Sequence, residues 1–314
     1  MADRAFTAWT GRDDGPGPEH ARWHTAVRGW APGDVLPDGA AVLVGFASDE
    51  GVRRNGGRVG AAEGPSALRR ALASLSDPGS PVFDAGDVVV DDGNLEAGQA
   101  RLGTLVAAVL DHGGLPVVLG GGHAVAYGSY LGWSRKCVGE CHARQPASWG
   151  VLNIDAHFDL RSAPEATSGT PFAQMAASEE AAGRGFRYAV AGISRANNTR
   201  VLFEAAERIG VRVLLDEDCS PERARAFAAE VVAASERVHL SIDLDALPAA
   251  VAPGVSAPAG FGISLDAVRA VVREVIDSGR LGLLEVAELN PRFDVDHRTA
   301  RTAARLVDSA VRQI

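Results

Sequence analysis

The chain is poor in cysteine, in positive charge and in long apolar runs, and each shortage closes off a class of protein. Three cysteines among 314 residues, Cys137, Cys141 and Cys219, make an odd and sparse set, which does not fit the disulfide framework of a small secreted domain. No apolar run approaches the roughly 20 residues needed to cross a bilayer. No basic start followed by an apolar core stands near the first residue, so a secretory leader is not expected. Lys and Arg number 31 against 40 Asp and Glu, a net charge of -9, and that balance argues against a surface built for nucleic acid. The Cys137-x-x-x-Cys141-His142 group lacks the second cysteine pair of a zinc site. Gly120-Gly121-Gly122 lacks the G-K-[ST] continuation of a nucleotide-binding loop. There is no internal repeat. What is left, at 46% hydrophobic and 23% charged residues, is the composition of an ordinary soluble globular protein, read as cytoplasmic.

Short β-rich runs alternate with longer amphipathic stretches after residue 40. The runs Ala41–Phe46, Pro116–Leu119, Gly150–Ile154, Tyr188–Gly192, Val211–Leu215, Val238–Ile242 and Leu283–Ala287 predict strands. Between them Pro65–Leu75, Leu95–His112, Thr199–Ile209, Pro221–Ala234, Leu265–Ser278 and Thr299–Gln313 predict helices. Pro65 suits a first helical position, and Ser264 suits an N-cap. Alternation of this kind implies βαβ units and a parallel sheet covered on both faces. Residues 1–314 read as a single domain, with residues 1–40 an irregular arm whose Trp9, Trp23 and Trp30 are too many for a free tail.

Three of the strand ends carry metal-type ligands. Asp155, His157 and Asp159 follow one apolar run on alternate residues, Asp243 and Asp245 close a second, and His123 closes the glycine triplet after a third. Open α/β sheets bind ligands at the carboxyl ends of their strands, where all of these fall. A lone D-x-D is most often a cap or a turn, but that account must here explain three clusters, each after a buried-looking strand. Six ligands exceed what one catalytic zinc takes. They suit two divalent cations about 3.5–4 Å apart sharing carboxylates. Oxygen and imidazole ligation without thiolate favours Mn²⁺, though ligand type does not by itself separate it from Zn²⁺, Fe²⁺ or Co²⁺. His239, inside an apolar strand, reads as a satisfied core histidine.

Gly120-Gly121-Gly122-His123, Asp155-Ala156-His157-Phe158-Asp159, Ser241-Ile242-Asp243-Leu244-Asp245 and Glu288-Leu289-Asn290-Pro291 resemble the motifs of the ureohydrolase family of arginases, agmatinases, guanidino-acid hydrolases and formimidoylglutamases. The resemblance runs from Asn55 to the last helix. It implies a three-layer α/β/α sandwich with a mainly parallel central sheet and two Mn²⁺ per subunit. One would be held by His123, Asp155, Asp159 and Asp243, the other by Asp155, His157, Asp243 and Asp245. Asp159-Leu160-Arg161, Ser168-Gly169-Thr170-Pro171-Phe172, Asn198-Thr199 and the segment Ala252 to Pro258 look like the formimidoylglutamase branch. Phe172 stands where arginases place a histidine proton shuttle and Arg161 where they place asparagine. Gly122 stands where arginases carry aspartate, which leaves the orientation of His123 to be explained.

The implied activity is hydrolysis of N-formimidoyl-L-glutamate to L-glutamate and formamide, a step of histidine degradation; another amidine or guanidine hydrolase, or a silent scaffold of the same fold, are the alternatives. Asp159 and Glu288 would be catalytic, with Asp159 relaying a proton and Glu288 pairing with the substrate amidinium. The other reading of Glu288 is a carboxylate capping the Asn290-Pro291 turn. Arg161 would fork a substrate carboxylate, or else sit in a surface ion pair. Ser168 and Asn198 would add polar contacts to the substrate, or else cap helices. The expected partner is a small amidine, with no nucleic acid and no membrane. The resemblance also implies a homo-oligomer.

Overall fold

Apolar residues dominate the inner strands because these are buried on both faces, as a parallel sheet between helix layers requires. A computed structural model describes residues 1–139 and 149–313, with the side chains of residues 136–139 excepted. The Cys137, Cys141 and His142 group therefore lies outside the residues whose side chains are described. Among the described residues the strands are β1 (Arg28–Gly29), β2 (Ala41–Ala47), β3 (Val82–Val89), β4 (Leu115–Leu119), β5 (Trp149–Ile154), β6 (Tyr188–Ile193), β7 (Arg212–Leu215), β8 (Arg237–Asp243) and β9 (Leu281–Ala287). They form one sheet in the order β1-β3-β2-β4-β9-β8-β5-β6-β7. Every pairing between these strands is parallel, and Arg4 of the arm adds an antiparallel bridge to Asp87 of β3, as expected of a mainly parallel sheet.

The helices are α1 (Trp23–Ala26), α2 (Glu50–Arg54), α3 (Gly64–Ala73), α4 (Leu95–Asp111), α5 (Val125–Gly139), α6 (Pro171–Ala181), α7 (Arg200–Arg208), α8 (Pro221–Ala233), α9 (Leu265–Asp277) and α10 (Arg298–Val311). One core cluster joins Leu68 and Leu72 of α3, Ala224 and Ala228 of α8, Val268 and Val272 of α9 and Ala303 and Val307 of α10 to the sheet. The other joins Leu102 and Val106 of α4, Tyr130 and Trp133 of α5, Phe172 and Met175 of α6 and Leu202 of α7 to its opposite face. These are the two outer layers of a three-layer sandwich. Ser264 caps α9 as expected, its hydroxyl accepting the Ala267 N–H. Among the described residues no helix is long and apolar enough to cross a membrane.

The arm is less irregular than its composition suggests. β1 extends the sheet edge beside β3, and the Trp9 indole N–H donates to Asp84 of β3 at 3.0 Å. Trp9 stacks on Trp23, with ring centroids 6.3 Å apart, and Trp23 is fully buried, donating to Asp308 of α10 at 2.7 Å.

Candidate metal centre

The four strands that end in candidate ligands, β4, β9, β8 and β5, are neighbours in the middle of the sheet. Parallel strands put all their carboxyl ends on one edge, so residues far apart in sequence converge there without long loops. His123 follows β4, Asp155 follows β5, Asp243 ends β8 and Glu288 follows β9. Alternation along β8 sends Leu240 and Ile242 to one core and leaves His239, Ser241 and Asp243 for the other face.

His123 Nδ1 lies 3.1 Å from Asp155 Oδ2, 2.9 Å from Asp159 Oδ2 and 3.0 Å from Asp243 Oδ2. It makes no hydrogen bond there. His157 Nδ1 lies 3.1 Å from Asp245 Oδ2 and 3.5 Å from Asp155 Oδ1. Two groups able to hold a cation result: His123, Asp155, Asp159 and Asp243, and beside them Asp155, His157 and Asp245. Asp155 belongs to both. Asp243, expected to serve both sets, is grouped only with the first; its Oδ1 accepts the Asp245 N–H at 2.8 Å while Oδ2 faces His123.

Two of the residues at this edge hold strained backbone, with φ of 49° at Asp159 and 67° at Glu288. A non-glycine residue in this region costs about 1–3 kcal/mol and persists only where its surroundings fix it. For Glu288 the fixing contacts are visible. Its N–H donates to the Gly121 carbonyl at 2.8 Å, and its Oε1 accepts the His123 N–H at 2.8 Å. Gly121 must lack a side chain, because a Cβ there would run into the Ser48 carbonyl. A Cβ at Gly122 would run into Val52, so the aspartate of arginases does not fit this loop without movement. His123 is oriented instead by Ser241, whose Oγ lies 2.9 Å from Nε2.

The buried charges shift one another. Burial, with Asp155 adding to it, pushes Asp159 up to about 6. Burial and the charges of Asp245 and Asp155 drive Asp243 well above the usual carboxylate range. Glu288 is pushed up to about 8 by burial and then by Asp245. Asp155 goes the other way: burial opposes its charge, but His123 and His157 outweigh it and hold it low. Asp245 pushes His157 up to about 12 against burial. Burial also works against a charged His123, and Asp243, Asp155 and Asp159 overcome it. The residues thus share protons to offset a surplus of buried negative charge. Divalent cations would offset it directly, releasing those protons as they bind. The unpartnered His123 Nδ1 and Asp245 Oδ1, with a donor set of oxygen and imidazole, fit Mn²⁺.

The expected substrate contacts separate. Glu288 does not cap the Asn290-Pro291 turn. Asn290 serves that turn with its own Oδ1, which accepts the Arg292 N–H at 3.2 Å, and Glu288 Oε2 is buried with no hydrogen-bond partner. Arg161 is exposed, two residues on from Asp159, and donates to Asn55 Oδ1 at 3.2 Å. Asn55 in turn donates to Ser168 Oγ at 3.2 Å. Ser168 caps no helix; Asn55, at the end of α2, links it to Arg161 and escaped the sequence reading because it carries no motif spacing. Asn198 is committed elsewhere. It accepts the Phe158 N–H at 3.1 Å and donates to the Ala156 and Ser194 carbonyls, each at 2.8 Å. Both ends of its amide hold the ligand loop, and it does not cap α7, whose N-cap is Thr199. Asn198→Ala is expected to cost about 1–3 kcal/mol for the buried groups it strands, seen as a lower Tm, and to weaken Mn²⁺ binding through His157 and Asp159.

Asn153 and Tyr188 complete the support. Asn153 Nδ2 donates to Asp155 Oδ2 at 3.0 Å and to the Tyr188 oxygen at 3.2 Å. The Tyr188 hydroxyl donates to the Phe158 carbonyl at 3.1 Å. Phe172 is fully buried, edge-on to the His123 ring at 5.4 Å and stacked on Tyr188 at 4.4 Å.

A parallel α/β/α sandwich with an imidazole and carboxylate cluster at the carboxyl ends of its central strands defines the class, an α/β protein with a candidate cation site at its sheet edge. The chain belongs to the Arginase family, whose model matches residues 39–312. It is 54% identical over 310 residues to the formimidoylglutamase of Nocardia farcinica, covering 98% of this chain and 97% of that protein. It is 48% identical over 314 residues to the formimidoylglutamase of Chromobacterium violaceum, again covering 98% and 97%. Its fold matches the crystal structure of Trypanosoma cruzi formiminoglutamase with Mn²⁺ at a TM-score of 0.78 and 26% identity, over 88% of this chain and 93% of that one.

Proposed function

We propose that this chain is a Mn²⁺-dependent formimidoylglutamase, hydrolysing N-formimidoyl-L-glutamate to L-glutamate and formamide. The observation that carries the reading is the convergence of His123, Asp155, His157, Asp159, Asp243 and Asp245 beside a buried carboxylate, Glu288, with one oxygen free. The near-full-length likeness to formimidoylglutamases supports the choice of substrate. Two bound cations would supply a water acidified to near neutral pH and would polarise the amidine carbon.

The protein's own groups do the rest. Glu288 holds the amidinium through its free oxygen, a charge-assisted contact that is directional and strong. Asp159 passes a proton to the amine as the bond between the formimidoyl carbon and the glutamate nitrogen breaks. Oxygen from water ends on formamide, and glutamate leaves with the proton. Arg161, held by Asn55 at the exposed side, receives a substrate carboxylate bidentately. Phe172 provides no proton shuttle, being an apolar ring packed against His123. On the same resemblance we place the enzyme in the cytoplasm, in histidine breakdown, as a homo-oligomer.

Purified protein loaded with Mn²⁺ should release equimolar formamide and glutamate from N-formimidoyl-L-glutamate. Urea from arginine at a higher kcat/KM would overturn the assignment.

A further inference from the structure

Residues 55–60 run from the loop after β5 to the turn after β9, the two ends of the proposed substrate site. At the first end Asn55 accepts a hydrogen bond from Arg161 at 3.2 Å and donates to Ser168 Oγ at 3.2 Å. The Arg161 backbone is held there too, its N–H donating to the Gly169 carbonyl at 2.9 Å. At the other end Gly60 lies against Asn290, two residues beyond Glu288, so closely that a Cβ on it would run into Asn290 Oδ1. The Gly60 N–H donates to Asp49 Oδ2 at 2.6 Å. Between these ends stands Arg58. Its N–H donates to Ser256 Oγ at 2.9 Å, its Nε to the Ser256 carbonyl at 3.0 Å and its Nη2 to the Val255 carbonyl at 2.5 Å. Its own carbonyl accepts from Asn290 Nδ2 at 2.8 Å, and its guanidinium lies 3.9 Å from the centre of the Phe293 ring.

A surface ion pair would hold such a segment weakly. A planar guanidinium bonded to two successive carbonyls and laid on a ring holds it in one geometry. The segment thereby joins Arg161, through Asn55, to the turn that follows Glu288, through Arg58 and Asn290. We propose that residues 55–60, pinned by Arg58, act as a ruler that sets the separation of Arg161 from Glu288 and so selects substrates by the length between their carboxylate and amidine ends. Asn55 and Arg58 are then positioning residues. The inference rests on the formimidoylglutamase reading above, in which Arg161 takes a carboxylate and Glu288 the amidinium, and goes beyond it to what fixes their spacing. A molecule held at both ends reaches its reactive geometry only if the span fits, and a misplacement of about 1 Å can cost about 10²-fold. One methylene changes the span by about that much, a C–C bond being about 1.5 Å.

The ratio of kcat/KM for N-formimidoyl-L-glutamate to that for N-formimidoyl-L-aspartate, one methylene shorter, tests it on the Mn²⁺-loaded full chain. The wild type should favour the longer compound by about 10²-fold. Arg58→Ala should lose most of that preference, leaving about 10-fold or less, because the freed segment no longer enforces the span. Its Mn²⁺ content should stay at the wild-type level, since Arg58 touches none of the candidate ligands. Arg58→Lys should behave like Arg58→Ala, because an ammonium cannot reproduce the planar fork. If Arg58→Ala does not fold, Arg58→Lys carries the test. A wild-type ratio in the folded variants would overturn the ruler even if both compounds turn over more slowly, since a merely structural contact slows both alike. A wild type that takes both compounds equally well would overturn it too. A wild type inactive on N-formimidoyl-L-glutamate would instead sink the function proposed above.

Discussion

Asp155→Ala should abolish the stabilisation that Mn²⁺ gives the wild type and lower kcat/KM by on the order of 10³-fold or more, well beyond the about 10–100-fold of losing an outer partner. Asp155 is the one residue common to both candidate groups, so its loss opens both at once. In the wild type, Mn²⁺ at a hundred times its Kd should contribute about 2.7 kcal/mol, a rise of several degrees in Tm. The ligand-free variant behaves differently. It loses the hydrogen bonds that Asp155 accepts from Asn153 and from the His157 N–H, the latter at 2.6 Å. It also loses a negative charge that presses on Asp159 and Asp243. The two effects oppose each other, so the Tm without metal should move little while the Mn²⁺-induced rise disappears. Thermal melts of both proteins with and without Mn²⁺ separate these contributions. An unchanged rise in the variant would contradict a shared ligand.

The contrast between what the sequence reveals and what it hides follows from how far each signal reaches. Each ligand sits at the end of an apolar run, a local pattern, and so His123, Asp155 and Asp243 are legible one by one. Their convergence depends on β4, β9, β8 and β5 lying side by side, which no local pattern encodes. The seven strands expected are all present. β3 was not among them, because Asp84, Gly86 and Asp87 interrupt its apolar run. Its acids are buried by pairing with Arg69, whose Nε lies 2.8 Å from Asp84, and by Arg4 of the arm at 3.3 Å from Asp87. A strand whose core charges are neutralised from elsewhere in the chain reads as a loop.

α5 was hidden for the opposite reason. It is apolar nearly all round, so it shows no polar face, and it lies so close to α4 that a Cβ at Gly132 would strike the Gly103 carbonyl. α2 and α6 were also missed, the first being only Glu50–Arg54. Among site residues, Asn198 was read as a contact or a cap because its backbone-directed bonds depend on the fold of the loop it holds. His239 looked like a satisfied core histidine because Glu285, its partner, lies 46 residues away on another strand. Pairings of this range are set by strand order, and strand order is a property of the whole sheet.

Glu288→Gln should lower kcat/KM by about 10²–10⁴-fold while leaving Mn²⁺ content near that of the wild type. Removing one partner of a buried charge pair costs about 3–5 kcal/mol, and each 1.36 kcal/mol is about tenfold in rate. The metal should stay because a glutamine oxygen can still accept the His123 N–H that Glu288 Oε1 now takes. The pH profile carries the sharper test. Burial and Asp245 push Glu288 up to about 8, so at neutral pH the ligand-free protein holds this carboxyl largely protonated, and a protonated carboxyl cannot pair with an amidinium. Bound cations would cancel the charge of Asp245 and move Glu288 back toward the ordinary value of about 4.3. For the loaded enzyme, kcat/KM should therefore climb with pH on a limb between those two limits and flatten above it, since only the carboxylate form binds the cationic substrate. In Glu288→Gln that limb should vanish, leaving whatever pH dependence Asp159 imposes. A variant that keeps the limb would show that Glu288 is not the group that holds the amidinium, and a variant that loses its Mn²⁺ would show that Glu288 acts through His123 instead.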